Sequence, residues 1–171
     1  MATANPPELG QGPRSGVLPR ERLLALLEGR RREYRLEAAG WQRLTATLLL
    51  YHDHHNEAHD LVQDLNDADG TLIHALLHRR EPDFWNARYW FRQVGDHPVY
   101  RALTPRLGEG DPEPRLGALV DSLTLGGMLD PLALVGACEA AFRRPPSDPQ
   151  VVFLRRLQDA EFRQLVEHLL G

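Results

Sequence analysis

The stretch over residues 51–100, YHDHHNEAHDLVQDLNDADGTLIHALLHRREPDFWNARYWFRQVGDHPVY, decides how the whole chain is read. It holds seven of the eight histidines and two of the three tryptophans, while the flanks are mostly Leu, Ala and Arg. Its apolar residues recur at three- and four-residue steps, the spacing that puts side chains on one face of a helix. Ala58, Leu61, Val62 and Leu65 make one such set, Leu72, Ile73, Leu76 and Leu77 a second, and Phe84, Ala87, Phe91 and Val94 a third. Just upstream, Trp41, Leu44, Leu48 and Tyr51 make another. Between the sets stand residues that cap or break helices: Asp53 and Asn56 in HDHHN, the turn Asn66-Asp67-Ala68-Asp69-Gly70, and Pro82, with Asp83 an N-cap and Gly95 a stop.

Outward from this stretch the pattern stays helical. Residues 1–18, interrupted by Pro6, Pro7 and Pro13, read as an extended N-terminal arm. Pro19 opens a helix carrying Leu23, Leu24, Leu26 and Leu27 that should close near Gly29 or at the run Arg30-Arg31-Arg32. Downstream come a short helix from Pro98 through Leu103, a loop over LGEGDPEP, and three helices over 115–125, 131–142 and 149–170, the last two capped by Asp130 and by Ser147 or Asp148. No alternating apolar run is long enough for a strand. The fold class is all-α: a single domain over 19–171 of seven or eight helices in antiparallel hairpins, either an irregular bundle or tetratricopeptide-like.

At 171 residues, 42% of them hydrophobic, the chain has material for one core. A net charge of -4 and a pI near 6.0 give no bulk attraction to nucleic acid or to an anionic membrane. All 20 basic residues are arginine, which excludes a phosphate-loop lysine, a Schiff base and a lysine general base. The lone Cys138 can form no internal disulfide, MATANPPELGQGPRSG lacks the apolar core of a secretion signal, and no apolar run spans a bilayer, so the expected location is cytoplasmic. Ser15, Ser122 and Ser147 lie in no nucleophile context, and HHNEAH places its glutamate wrongly for an HExxH zinc motif. The turn at 66–70 fails as a calcium loop: with Gly70 at the sixth position, Leu65 and Leu76 fall where ligands are needed.

Two sets of residues carry chemistry. His74 and His78 lie one turn apart, nearly opposite the Leu72/Ile73/Leu76/Leu77 face, and His59 on the preceding antiparallel helix can supply a third imidazole, with His55 one turn from it. Zinc, nickel or iron would accept this set, with Asp53, Glu81 or His97 closing the shell and one position open to water. The competing account is that these histidines are solvent-facing or hydrogen-bonded packing residues. The second set is Arg79, Arg80, Arg88, Arg92, Glu81, Asp96 and His97 around the aromatic helix, with Trp85, Tyr89 or Trp90 as a stacking wall. It reads as an ion-pair network, in which Arg88 should meet Glu81 or Asp96, or as a pocket for a small anionic ligand.

The segment HRREPDFWNARYWFRQVGDHP resembles a signature of uncharacterised bacterial and fungal helical proteins, HRREGDFxNAKYWFRRVGDHP. His78, Arg79, Arg80, Glu81, Asp83, Phe84, Asn86, Ala87, Tyr89 to Arg92 and Val94 to Pro98 match; among the departures, Pro82 and Arg88 stand where the signature has Gly and Lys. The resemblance covers about residues 50–100, and it implies that His59, His74, His78 and His97 outrank the other histidines; it supplies no reaction. The same block is similar to tetratricopeptide or Sel1-like hairpins, with Ala58 and Ala87 at matching small positions, although their spacing of 29 departs from the roughly 34 of tetratricopeptide repeats.

Two functions follow. One is a helical-hairpin protein that binds a protein partner or a small anionic ligand, the ligand through Arg79, Arg88, Arg92, Trp85, Tyr89, Asp96 and His97. The other is a metal-dependent enzyme of hydrolase or oxidase type, with His59, His74 and His78 as ligands and Glu81 or Asp53 as general base.

Overall fold

The computed structural model describes residues 3, 5–12, 14–108 and 116–171, and these form an all-α fold. Nine α-helices occur among them: α1 (Arg20–Tyr34), α2 (Ala38–Tyr51), α3 (His55–Val62), α4 (Ala68–Arg80), α5 (Phe84–Val94), α6 (Pro98–Leu103), α7 (Gly117–Ser122), α8 (Pro131–Ala141) and α9 (Pro149–Leu170). None is long and apolar enough to cross a membrane.

The helix starts follow capping chemistry, in which a side-chain oxygen accepts from the first unpaired N–H groups. Asp67 accepts from Gly70 N at the head of α4, Asp83 from Asn86 N at α5, Asp130 from Leu132 N at α8 and Asp148 from Gln150 N at α9. Asp53 (φ 66°) adopts the left-handed geometry that breaks α2 from α3, a conformation Asp tolerates better than most residues.

α4 is the axle of the fold. Every residue from Gly70 to Arg80 is buried. α5 packs along it after a three-residue connection, α2 and α3 lie against it, α8 packs on α5, and α9 packs on α2 and α6. Gly70 is required by this packing, since a Cβ there would stand 2.4 Å from Leu65 Cβ.

Burial on all sides leaves α4's cations to find partners inside the protein. Arg79 binds Glu161 on α9 in two places, one at 3.2 Å, and Glu161 also accepts from Tyr100 at 2.8 Å. Arg80 donates to the Leu50 carbonyl and, at 2.7 Å, to Asp53. Asp53 accepts as well from Arg14, whose guanidinium also reaches the Tyr51 carbonyl. The described residues before α1 are thus non-helical but packed on the body: Leu9 and Arg14 are buried, and Gln158 donates to the Glu8 carbonyl at 2.8 Å.

Several boundaries differ from the sequence reading. α1 runs through Gly29 and the arginine run to Tyr34, because a single glycine weakens a helix by only about 1 kcal/mol; Arg35 in left-handed geometry ends it. α3 stops at Val62, short of Leu65. The helix expected over 115–125 is only α7, followed by a two-stranded hairpin, β1 (Thr124–Leu125) and β2 (Met128–Leu129). It turns on Gly126 and Gly127, both at positive φ, which glycine adopts without steric cost. Of the loop expected at LGEGDPEP, residues 109–114 lie outside the described residues, as does Arg115; residues 107 and 108 belong to a 3-10 turn over Thr104–Gly108.

Candidate metal centre

His59, His74 and His78 converge, each offering a ring nitrogen within 4.8 Å of the others. Three such atoms lie within about 2.8 Å of a common centre, against about 2.0 to 2.1 Å for a zinc-to-imidazole bond, so modest side-chain rotation closes the shell. The convergence follows from local structure. His74 and His78 are one turn apart on α4 and stack at 4.8 Å, and α3 lays His59 edge-on to both, at 5.0 and 6.0 Å. α5 closes the far side with Trp90, stacked on His74 at 4.1 Å, and with Asn86, one turn earlier.

Protonation is legible from the partners. Glu81 Oε2 lies 3.2 Å from His78 Nδ1, and a carboxylate only accepts, so Nδ1 carries the proton and Nε2 presents a lone pair. This hydrogen bond outweighs burial, which acts the other way, and holds the Glu81 carboxyl below the usual range. An imidazole oriented by a carboxylate through its other nitrogen is the usual setting of a metal-binding histidine. His74 Nδ1 is buried with no hydrogen-bond partner among the described residues, and burial, followed by the neighbouring His78 and His59, pushes its pKa down to about 4. At neutral pH it is an uncharged imidazole.

His55, one turn before His59, is also buried and neutral, its pKa lowered to about 4 by burial and then by Arg80. Its Nδ1 sits 3.2 Å from the Asp53 carbonyl, so the unpartnered Nε2 is an acceptor. Asp53 itself is taken up elsewhere. Burial raises its pKa, but Arg80 and Arg14 outweigh that and keep it ionised. It is a structural counter-ion, held between two guanidinium groups and not at the three imidazoles.

The proposed ligand-binding set does not gather in one place. Arg79 is sealed in the core with Glu161, Arg88 reaches Glu139 on α8 and not Glu81 or Asp96, and Asp96 pairs with Arg101. Arg92, Trp85 and Tyr89 face outward on α5. Sequence spacing put these side chains near one another along the chain, but a helix sends successive residues to different sides, and α8 and α9 compete for the arginines.

His97 belongs to a second cluster, with Asp69 and His168. Asp69 Oδ1 accepts from His97 Nε2 at 3.0 Å and from His168 Nε2 at 2.9 Å. His97 Nδ1 accepts the Val99 N–H at 3.3 Å, so its proton is on Nε2 and directed at Asp69. These hydrogen bonds tie the N-terminus of α4 to the start of α6 and the end of α9. His168, 71 residues beyond His97, had no sequence signal; Asn86 had one, its one-turn spacing from Trp90.

No family model matches the chain, and no curated protein or solved structure matches it.

Proposed function

We propose that this protein binds a divalent transition metal through His59, His74 and His78 and uses it in metal-assisted chemistry of the hydrolase type. The observation that carries the reading is the convergence of three buried or half-buried imidazoles, one with a buried nitrogen that has no protein partner. Three neutral nitrogen donors favour zinc, nickel or iron over magnesium or calcium, which prefer oxygen. Such a metal supplies Lewis acidity and lowers the pKa of bound water. Glu81 orients His78 and supplies a carboxylate beside the site. The test is metal content by mass spectrometry on tag-free protein from metal-supplemented medium. Near-stoichiometric metal that disappears in His74→Ala/His78→Ala supports the reading; metal-free, folded wild-type protein overturns it.

A second reading, docking of a protein partner, rests on Trp85, 78% exposed, and Tyr89, 49% exposed, one turn apart on α5 beside Arg92. A photo-crosslinking residue at position 85 should then give one discrete adduct in cells, and a smear of products would count against it.

A further inference from the structure

We infer that His52 and His54 form an acid-released latch that holds the N-terminal end of α1 against the turn between α2 and α3. The two rings engage both polar backbone groups of a single residue. Leu18 donates its N–H to His52 Nδ1 at 3.1 Å, and its carbonyl lies 2.8 Å from His54 Nε2. A carbonyl only accepts, so His54 Nε2 carries a proton, and that bond persists whether or not the ring is charged. His52 differs. Its Nδ1 accepts only while unprotonated, and a proton there would set one N–H against another. The acid sensitivity of the latch therefore lies on one nitrogen.

The surroundings of His52 oppose that proton while the latch is closed. The ring is buried, with Tyr51 edge-on at 5.5 Å. The ionisable groups around it are Arg14 from the residues before α1, and Asp53 and His54 from the turn. Arg14 disfavours a second positive charge, and Asp53 is already shared by Arg14 and Arg80. What the latch holds is otherwise lightly fastened. Of the 15 residues of α1 only Leu23 and Leu27 are buried, the helix packs on α2, and Pro19 at its N-cap supplies no capping side chain. The chain on either side is fixed more firmly. Arg14 is held by Asp53 and the Tyr51 carbonyl, and Glu37 caps α2 just after the left-handed Arg35. Protonation of His52 thus frees Leu18 and lets α1 lift from α2 at its N-terminal end, between two anchors that stay in place.

The experiment is hydrogen exchange read by mass spectrometry on the full chain at about pH 7 and pH 5, corrected for the intrinsic exchange rate. With a His52 pKa of about 4 when latched and 6.5 when free, the ratio of open to latched chains rises roughly twentyfold over that interval. Protection over residues 16–27 should fall by about that factor in wild type, while α4 stays the better protected. His52→Gln keeps an acceptor for Leu18 but cannot be charged, and should lose most of this dependence. His54→Gln keeps a donor for the Leu18 carbonyl and should retain it. Unchanged protection in wild type overturns the inference, as does the same fall in His52→Gln. Protection over residues 16–27 that is lost only in step with α4 also overturns it, because the helix would then open only by global unfolding.

Discussion

Lowering the pH should unfold this protein well before its carboxylates titrate, and His52 gives a clean measure of why. Its ring is buried, and Nδ1 accepts the Leu18 N–H at 3.1 Å, so that nitrogen carries no proton in the folded state. Burial first, and then the Arg14 guanidinium, lower its pKa from 6.5 to about 4. Above pH 6.5 folded and unfolded chains are both neutral here and nothing is lost. Between 6.5 and 4 the unfolded chain binds a proton that the folded chain refuses, so stability falls with pH. At about pH 5 the loss from this one residue is up to about 2 kcal/mol. His55 and His74, each also lowered to about 4, act in the same direction. Together the three approach about 6 kcal/mol, within the total stability of about 5 to 15 kcal/mol of an ordinary domain. The carboxyls of Asp53, Asp67, Asp69 and Glu81 are held below their usual range, so their contribution is lost only at lower pH and does not mask this window. The assay is urea unfolding followed by circular dichroism at about pH 7 and pH 5, with a chelator present. His52→Gln keeps an acceptor for Leu18 but cannot be protonated. Its midpoint should fall by roughly 1 M urea less than wild type across that interval, for an m-value of about 2 kcal/mol/M. Equal pH dependence in the two proteins would refute the reasoning.

Three further outcomes are expected. Glu161→Gln leaves the fully buried Arg79 without its carboxylate and should cost about 3 to 5 kcal/mol, read by chemical denaturation, whereas a surface glutamate such as Glu28 should tolerate the same change. Gly70→Ala drives a Cβ against Leu65 Cβ and should destabilise by about 1 to 3 kcal/mol; a gain in melting temperature would contradict that packing. Glu81→Ala should weaken zinc binding about tenfold to a hundredfold in competition with a chelating dye while leaving the helical circular dichroism intact, because it removes the group orienting His78.

Much of the helical architecture was legible because it depends on local rules. Apolar steps of three and four, Asp at helix starts and proline at first turns are properties of neighbouring residues, and they marked α4, α5, α6, α8 and α9 within a few residues. The hairpin at 124–129 escaped because two-residue strands are too short to show alternation, and only the Gly126-Gly127 pair hinted at it. The His59/His74/His78 set was accessible because two members share a helix and the third sits on its neighbour. Asp69 and His168 were not, since they meet only through the packing of α9, 99 residues away in sequence.

What the pattern could not decide was which of α4's polar residues were structural. His74 and His78, nearly opposite Leu72 and Leu76, read as solvent-exposed on an isolated helix, as do the charged Arg79 and Arg80 at its end, yet here all four are buried. Once a polar group is inside, its partners separate the roles, because a buried group that lacks a partner destabilises the fold. The two guanidinium groups are met by side-chain oxygens of α9, a carbonyl of α2 and the Asp53 carboxylate between α2 and α3, leaving among the described residues only their Nε atoms without an acceptor, so they serve as struts. The imidazoles of His74 and His55 each keep a buried nitrogen that no protein group satisfies. Both histidines lie on the two helices that form the three-imidazole cluster. The other unmet buried nitrogens among the described residues are guanidinium Nε donors of Arg79, Arg80 and Arg155, so the unmet nitrogens that are neutral at physiological pH are those of these two imidazoles.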